Sequence, residues 1–404
     1  MSSAQAIDRD SPRLLVLGAG PAQLGLLAAA RDRGLFVIAV DRDPAAPGFR
    51  FADRRAILSA EDAPAIERLA EAEHIDGVIA PGIDWPVGIA ARVAERLGIP
   101  HPVEPASAVL STSKLRQRER FAEAGVPQSR WKLVTEPDDE LGFPCVVKAP
   151  DRQGQRGLSL VRDRSELAAA VEEAMASSRT RVCMIEELVD GPEVTVNAFS
   201  RAGVFHPLTV TDRLTAEPPA FGVALAHVWP PEHADGAPGV AEAAAAALGI
   251  REGPTYTQVR IGRDGPRVIE LAARLGGGHD AELCHAALGV DLNGLALAAA
   301  LGEEIAPETL VATPRVGGAV VRFLVAPQGE LLEVTGAEEA RSLEGVVDVR
   351  VYRAPGFRFG PLRRGADRAG AVLAVGASRE EALERSARAA DLVRFETADA
   401  EALV

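Results

Sequence analysis

The chain of 404 residues holds three cysteines, Cys145, Cys183 and Cys284, and no two are close enough for a CxxC pair. That spacing excludes a disulfide framework and a cysteine-built zinc site, and it reads all three as small core residues. No apolar run reaches the ~18 residues of a membrane span. The start, Met1 to Asp8, lacks a basic stretch followed by an apolar one, as a secretory leader would have. The expected setting is the reduced cytoplasm. Net charge is −14, which argues against nucleic acid as a partner.

Strand and helix patterns alternate at the beginning. Arg13–Leu17, Phe36–Val40 and Asp76–Ala80 read as strands, with a helix to about Arg33 and another over Val87–Leu97. This rhythm predicts a parallel, doubly wound sheet. The proline-rich stretch Ile99–Pro105 reads as the exit from that domain. A helix is expected over Ser107–Ala124, then strands at Cys145–Lys148 and Leu158–Val161. A helix at Asp163–Ala176 has Asp163 as N-cap and Glu166 three residues on. Strands are expected at Val182–Glu187 and Glu193–Phe199, and a hairpin over Thr255–Leu271 turning near Asp264–Gly265. Short β segments from about Gly317, closed by a helix at Arg379–Ala390, read as a third domain. The expected divisions are 1–106, 107–315 with a lid at about 130–188, and 316–404.

Four motifs carry chemistry. Gly18-Ala19-Gly20-Pro21-Ala22-Gln23-Leu24-Gly25, with Asp41 beyond, reads either as a dinucleotide loop or as the tight turn any doubly wound fold needs. Val146-Val147-Lys148 leads into a basic, glycine-bearing loop with Gly154 and Gly157. It reads either as a phosphate cradle with a lysine point charge or as an exposed hairpin. Glu186-Glu187-Leu188-Val189, followed by Glu193, ends a strand in acids, as a solvated end or as a ligand edge.

The fourth motif is the hairpin. Gln258 and Glu270 lie symmetrically about Asp264, so a register with that symmetry puts them directly cross-strand, with Cβ atoms ~5 Å apart. Two oxygen-bearing side chains can then converge on one Mg²⁺. The competing reading is a polar pair facing water. Arg274 follows on the same face if the strand stays regular, and Gly276, Gly277 and Gly278 let a ligand approach the backbone.

Taken in order, Lys114, the Lys148 loop, the Glu186–Val189 strand end, the Gln258/Glu270 hairpin and Arg274 resemble the ATP-grasp superfamily over nearly the whole chain. The three-domain layout is similar to biotin carboxylase, the carbamoyl-phosphate synthase large chain and bacterial L-amino-acid ligases, and the C-terminal part most resembles the last. The resemblance implies a mixed α/β and α+β fold. A Rossmann-like first domain would precede an ATP-grasp domain with a mobile lid and a small α+β C-terminal domain.

The resemblance also implies roles. Lys114 and Lys148 would contact ATP phosphates, with Gly154 and Gly157 in the lid. Glu186, Glu187, Leu188 and Val189 would frame the adenine, and Glu193 would take the ribose. Gln258 and Glu270 would hold one or two Mg²⁺, replaceable by Mn²⁺. His227 would lie near the transferred phosphate. Arg274 and Gly276 to Gly278 would bind the acyl phosphate, and Asp84 would reach a substrate amine.

The implied activity is ligation of a carboxylate to an amine, both of the amino-acid kind, through an acyl phosphate with release of ADP and phosphate. Related ligases are commonly dimeric, so a homodimer is the implied assembly. Two positions depart from the family: glutamine at 258, where many members carry an acid, and Ala272, where an asparagine is usual. Three rivals stand beside this reading. A biotin-dependent carboxylase would need a carrier motif that this chain does not show. A non-catalytic nucleotide sensor is favoured by the two departures. A nicotinamide-dependent dehydrogenase rests on Gly18 to Gly25 alone.

Overall fold

The computed structural model describes residues 11–398; the start of the chain, read above for a leader, lies outside the described residues. The first domain is a parallel sheet in the order Arg54–Ile57, Phe36–Asp41, Arg13–Leu17, Gly77–Ile79. Leu14 to Leu17 and Val37 to Val40 are buried throughout, as strands covered by helices on both faces must be. The three expected strands are present, within a residue or so of their expected ends. The edge strand Arg54–Ile57 and the helix Ala63–Glu73 were not anticipated. The edge strand is largely exposed and has no apolar run to mark it.

Asp41 is engaged with its own turn. Its carboxylate accepts from the N–H of Ala19 at 2.9 Å and of Asp43 at 3.0 Å. That favours the tight-turn reading of Gly18 to Gly25. Helix Trp85–Leu97 begins directly after Asp84 and stops at Gly98, whose φ of +68° favours glycine.

The helix expected over Ser107–Ala124 is two helices, Pro105–Ser111 and Lys114–Glu123. Ser113 between them is extended, and its side chain caps the second helix by accepting from the Arg116 N–H. A serine there competes with helical backbone for hydrogen bonds and favours a cap over an interior position. The break puts Lys114 at the first turn of a helix that faces the site.

A four-stranded antiparallel sheet follows, in the order Trp131–Val134, Cys183–Glu187, Cys145–Lys148, Leu158–Val161. Helix Arg164–Ser177 packs on it through Leu167, Val171 and Ala174 against Val147, Cys145 and Cys183. Asp163 caps that helix by accepting from Ser165. Glu166 accepts from the Arg162 N–H, one residue before the cap, so the capping box is displaced rather than closed.

The largest sheet has eight strands in the order Gly265–Ala272, Gly253–Gly262, Glu193–Arg201, Val204–Thr215, Ala224–Trp229, Gly318–Leu324, Gly370–Gly376, Val346–Val351. It runs without interruption past residue 316, because Ala224–Trp229 pairs with Gly318–Leu324. Strands Val204–Thr215 and Ala224–Trp229 and helices Ala237–Ala247, Asp280–Leu288 and Leu292–Ala300 were not anticipated. One apolar core joins Leu27 and Val37 of the first domain to Cys284 and Leu297 of those helices and to Phe323 and Leu373 of the sheet. The closing helix lies at Arg379–Leu392, near its expected place. No described helix is long and apolar enough to cross a membrane.

Candidate active site

The hairpin register brings Gln258 opposite Glu270. Its cause differs from the symmetry read in the sequence. The turn pairs Gly262 with Gly265 and Val259 with Val268, a register that would leave Gln258 facing Ile269. A bulge between Gln258 and Val259 on this ladder inserts one residue and restores the pair. The Gln258 amide donates to Glu270 at 3.3 Å. The strand ends at Ala272, so Arg274 reaches the site from the loop beyond it.

Glu270 is surrounded by cations. The Lys114 ammonium lies 3.3 Å away and also donates to the Arg152 carbonyl at 2.7 Å. Burial works to raise the pKa of Glu270, but Lys114, Lys148 and Arg274 pull it down to about 2. Lys148 is buried and donates to Glu186 at 2.7 Å. Arg118 grips both oxygens of Glu186, at 2.8 and 3.1 Å. Burial opposes ionisation of Glu186, yet Arg118 and Lys148 hold its pKa at about 2. Lys148 itself is lowered to about 8, by burial first, against the attraction of Glu186.

These groups line a cleft between the lid sheet and the large sheet. Lys114, Lys148, Gly154, Glu186, Glu187, Leu188, Val189, Glu193, Gln258 and Glu270 all contribute to its wall. The Glu186 carboxylate is turned onto Lys148 and Arg118. The Glu187 carboxylate is turned onto Arg130, at 2.5 Å. The strand end therefore presents its side chains to protein partners. Glu193 accepts from Arg213 at 2.7 Å and from Arg260 at 3.4 Å.

A second, larger chamber opens on the other side of Glu270. Asp84, His227, Arg274, Gly277 and Gly278 line it, together with the glycine turn of the first domain and Tyr352, Arg353 and Arg368 from the C-terminal part. Arg274 donates to Asp84 at 2.7 Å. His227 is buried and its Nδ1 bonds Asp280 at 2.7 Å. Burial would raise the pKa of Asp280, but His227 and the Gly278 N–H lower it.

Asp280 also accepts from the Gly278 N–H at 3.1 Å, so that donor already has a partner inside the protein. Gly157 and Gly276 line neither chamber. A Cβ on Gly276 would sit 2.2 Å from Asp280 and 2.7 Å from Tyr256. Its glycine serves the packing that holds Asp280. The lid loop lies against both neighbours: Gln153 accepts from the Asp84 N–H at 2.8 Å and Gln155 from the Gly365 N–H at 3.4 Å.

Sequence reasoning missed Arg118, Arg213, Arg260 and Asp280. Arg213 carried a usable signal, a charge inside a strand, of the kind that singled out Glu270. Lysine frequency was another. The chain has three lysines among its 44 basic residues, and two of them, Lys114 and Lys148, reach this cleft. Among the described residues no group of three or more His, Cys, Asp or Glu side chains is placed to hold a metal. One carboxylate and one amide oxygen, from Glu270 and Gln258, fit a single Mg²⁺ that keeps water and phosphate oxygens as its other ligands. Ala272 is buried and offers no further oxygen.

Residues 141–282 match an ATP-grasp domain, and residues 322–398 match the L-amino acid ligase C-terminal domain 2. The chain is 29% identical to the uncharacterized protein y4rH of Sinorhizobium fredii, over 78% of this chain and 67% of that one. It is 31% identical to a formate-dependent phosphoribosylglycinamide formyltransferase of Burkholderia pseudomallei over 41% of this chain, and spans 43% of that protein. Among solved structures, L-amino acid ligase from Bacillus licheniformis superposes with a TM-score of 0.81 at 22% identity, covering 97% of this chain and 100% of that one. Phosphoribosylglycinamide synthetase from Anaerococcus prevotii gives 0.77 at 20%, covering 96% and 100%. At those identities the two structures establish a shared fold. The matched segments show that residues 141–282 form an ATP-grasp domain and residues 322–398 a C-terminal domain of the L-amino acid ligase type.

Proposed function

We propose that the protein joins a carboxylate to an amine, both of the amino-acid kind, at the expense of ATP. The observation that carries this reading is the meeting of the two chambers at Glu270, with Lys114, Lys148 and Arg274 around it. The nucleotide occupies the cleft under the lid and the two small substrates occupy the larger chamber. A carboxylate oxygen attacks the terminal phosphorus of ATP, giving an acyl phosphate and ADP. The amine then attacks the acyl carbon and phosphate departs.

Lys114 and Lys148 hold phosphate oxygens and neutralise their charge; most of the rate comes from such positioning and electrostatics. Gln258 and Glu270 would hold Mg²⁺, which when bound would supply further neutralisation of the phosphate charge. Arg274 lies between Asp84 and the acyl group and stabilises the oxyanion formed when the amine adds. Asp84 faces the incoming ammonium. His227, oriented by Asp280, lies beside Gly278 where the phosphate passes. The lid loop excludes water from the acyl phosphate.

The test is to supply ATP, Mg²⁺ and a pool of amino acids, and to follow ADP together with ligated products by mass spectrometry. ADP formed in step with a new amide or peptide is the expected result. Absence of ADP from every pair, or ADP that depends on bicarbonate alone, would overturn the proposal.

Gln258→Glu addresses the metal. It sets a second carboxylate opposite Glu270, and an added charge tightens a cation site. The Mg²⁺ concentration giving half-maximal ADP formation should fall roughly tenfold, in line with about 1.4 kcal/mol of added attraction. An unchanged Mg²⁺ requirement would show that this pair does not bind the ion.

A further inference from the structure

Transfer between two chambers needs positive charge where they meet. Few residues line both: Gln153 to Arg156 on the lid loop, and Arg213, Gln258 and Glu270 on the sheet. Gln258 is neutral and Glu270 is negative. Arg156 is exposed and belongs to the loop. Arg213 is therefore the cation that the sheet itself holds at this junction.

Its placement is rigid. The side chain is 6% exposed, and its two terminal nitrogens donate to Glu193 at 2.7 Å and to the Gly222 carbonyl at 2.8 Å. Its Nε is buried without any partner. A buried donor left unpaired costs about 1–3 kcal/mol, so the guanidinium is held at this junction at a cost to stability. Glu193 does not need Arg213 alone as counter-charge, because Arg260 approaches its other oxygen. Arg213 is also directly cross-strand from His227, which puts two basic side chains side by side on one face of the sheet. The metal side of the junction is thin, with one carboxylate at 270, an amide at 258 and a methyl at 272.

We propose that Arg213 faces the phosphoryl group in transit and supplies charge that the shortage of metal-binding oxygens withholds. This rests on reading the chain as an acyl-phosphate-forming ligase. In that step a carboxylate oxygen bonds to the terminal phosphorus of ATP. The bond from that phosphorus to the bridging oxygen breaks, and ADP leaves with the electron pair. Negative charge spreads over the three equatorial oxygens as they pass the junction, and a fixed cation there acts on the transition state more than on bound nucleotide.

The test compares MgADP with MgADP plus aluminium fluoride, a mimic of the phosphoryl in flight, by calorimetry on wild type, Arg213→Met, Arg213→Lys and Glu193→Gln. Melting curves check folding. Wild type should gain affinity with fluoride. Arg213→Met should lose roughly tenfold or more of the fluoride gain, measured relative to its own affinity for MgADP. Arg213→Lys should keep part of that gain, and it carries the test alone if the methionine variant does not fold. Glu193→Gln should weaken MgADP and the mimic equally.

If Arg213→Met behaves like Glu193→Gln, Arg213 only anchors Glu193 and the proposal fails. If Arg213→Met keeps the full gain, it fails as well. A wild type that gains nothing from fluoride overturns phosphoryl transfer itself, and the role of Arg213 with it.

Discussion

Arg274→Ala is expected to leave nucleotide binding near wild type and to lower turnover by roughly 10²–10³-fold, the usual effect of removing one oxyanion donor. The guanidinium reaches Asp84 and its own neighbour's carbonyl at Leu275, and lies 5.4 Å from the Tyr256 ring centre. None of these contacts touches the lid cleft. On the proposed function, removing it acts on the acyl half of the reaction. Asp84 loses its partner but is 19% exposed, so water can solvate it and the fold should persist. Steady-state measurement of ADP release with cognate substrates checks this: KM for ATP should hold while kcat falls. Release at the wild-type rate would exclude Arg274 from the chemistry.

Lys148→Ala is expected to act on the other half. On the proposed function it removes a charge-assisted phosphate contact worth about 1.5–3 kcal/mol, or roughly 10–100-fold in nucleotide affinity. Breaking a buried pair often strands a charge, but Glu186 keeps both bonds from Arg118, so the protein should remain folded. The variant also tests a pH dependence. The pKa of Lys148 is about 8 against an ordinary 10.5, because burial outweighs Glu186. Below 8 the ammonium is charged and ready for phosphate; as pH rises through 8 the free protein loses that charge and nucleotide affinity falls.

Bound phosphate favours the charged form, so binding near pH 8.5 should take up protons. Calorimetry in two buffers of different ionisation enthalpy would show this in wild type and not in Lys148→Ala. The sign for folding is opposite. With the folded pKa below the unfolded one, the buried ammonium costs stability in full below pH 8, and the cost is relieved toward pH 10.5.

The hairpin shows how far the sequence could be read. The alternation and turn residues of Thr255–Leu271 mark two strands, and residue counting alone pairs Gln258 with Glu270. The pairing is real, but it depends on a bulge at Gln258 that no local residue type announces. A bulge is settled by how the whole sheet twists and packs, so counting reached the right pair by a route the chain does not take. The helix expected through Ser113 fails for the converse reason: a local competitor, the serine side chain, outweighs an otherwise helical pattern.

By itself the sequence determined the order of parts: parallel strands first, a lysine before a glycine loop, acids at a strand end, and a carboxylate and arginine before three glycines. Those are local properties of composition and period, visible one element at a time. Tertiary structure alone decided the partnerships. Arg118 lies 68 residues from Glu186, Asp280 lies 53 from His227, and Asp84 lies 190 from Arg274. No spacing encodes such pairs, because they form only when separate elements pack and remove charges from water. Burial then requires each charge to find a partner. That requirement fixed the orientations of the Glu186 and Glu193 carboxylates, while the Nε of Arg213 stays buried without a partner where the two chambers meet.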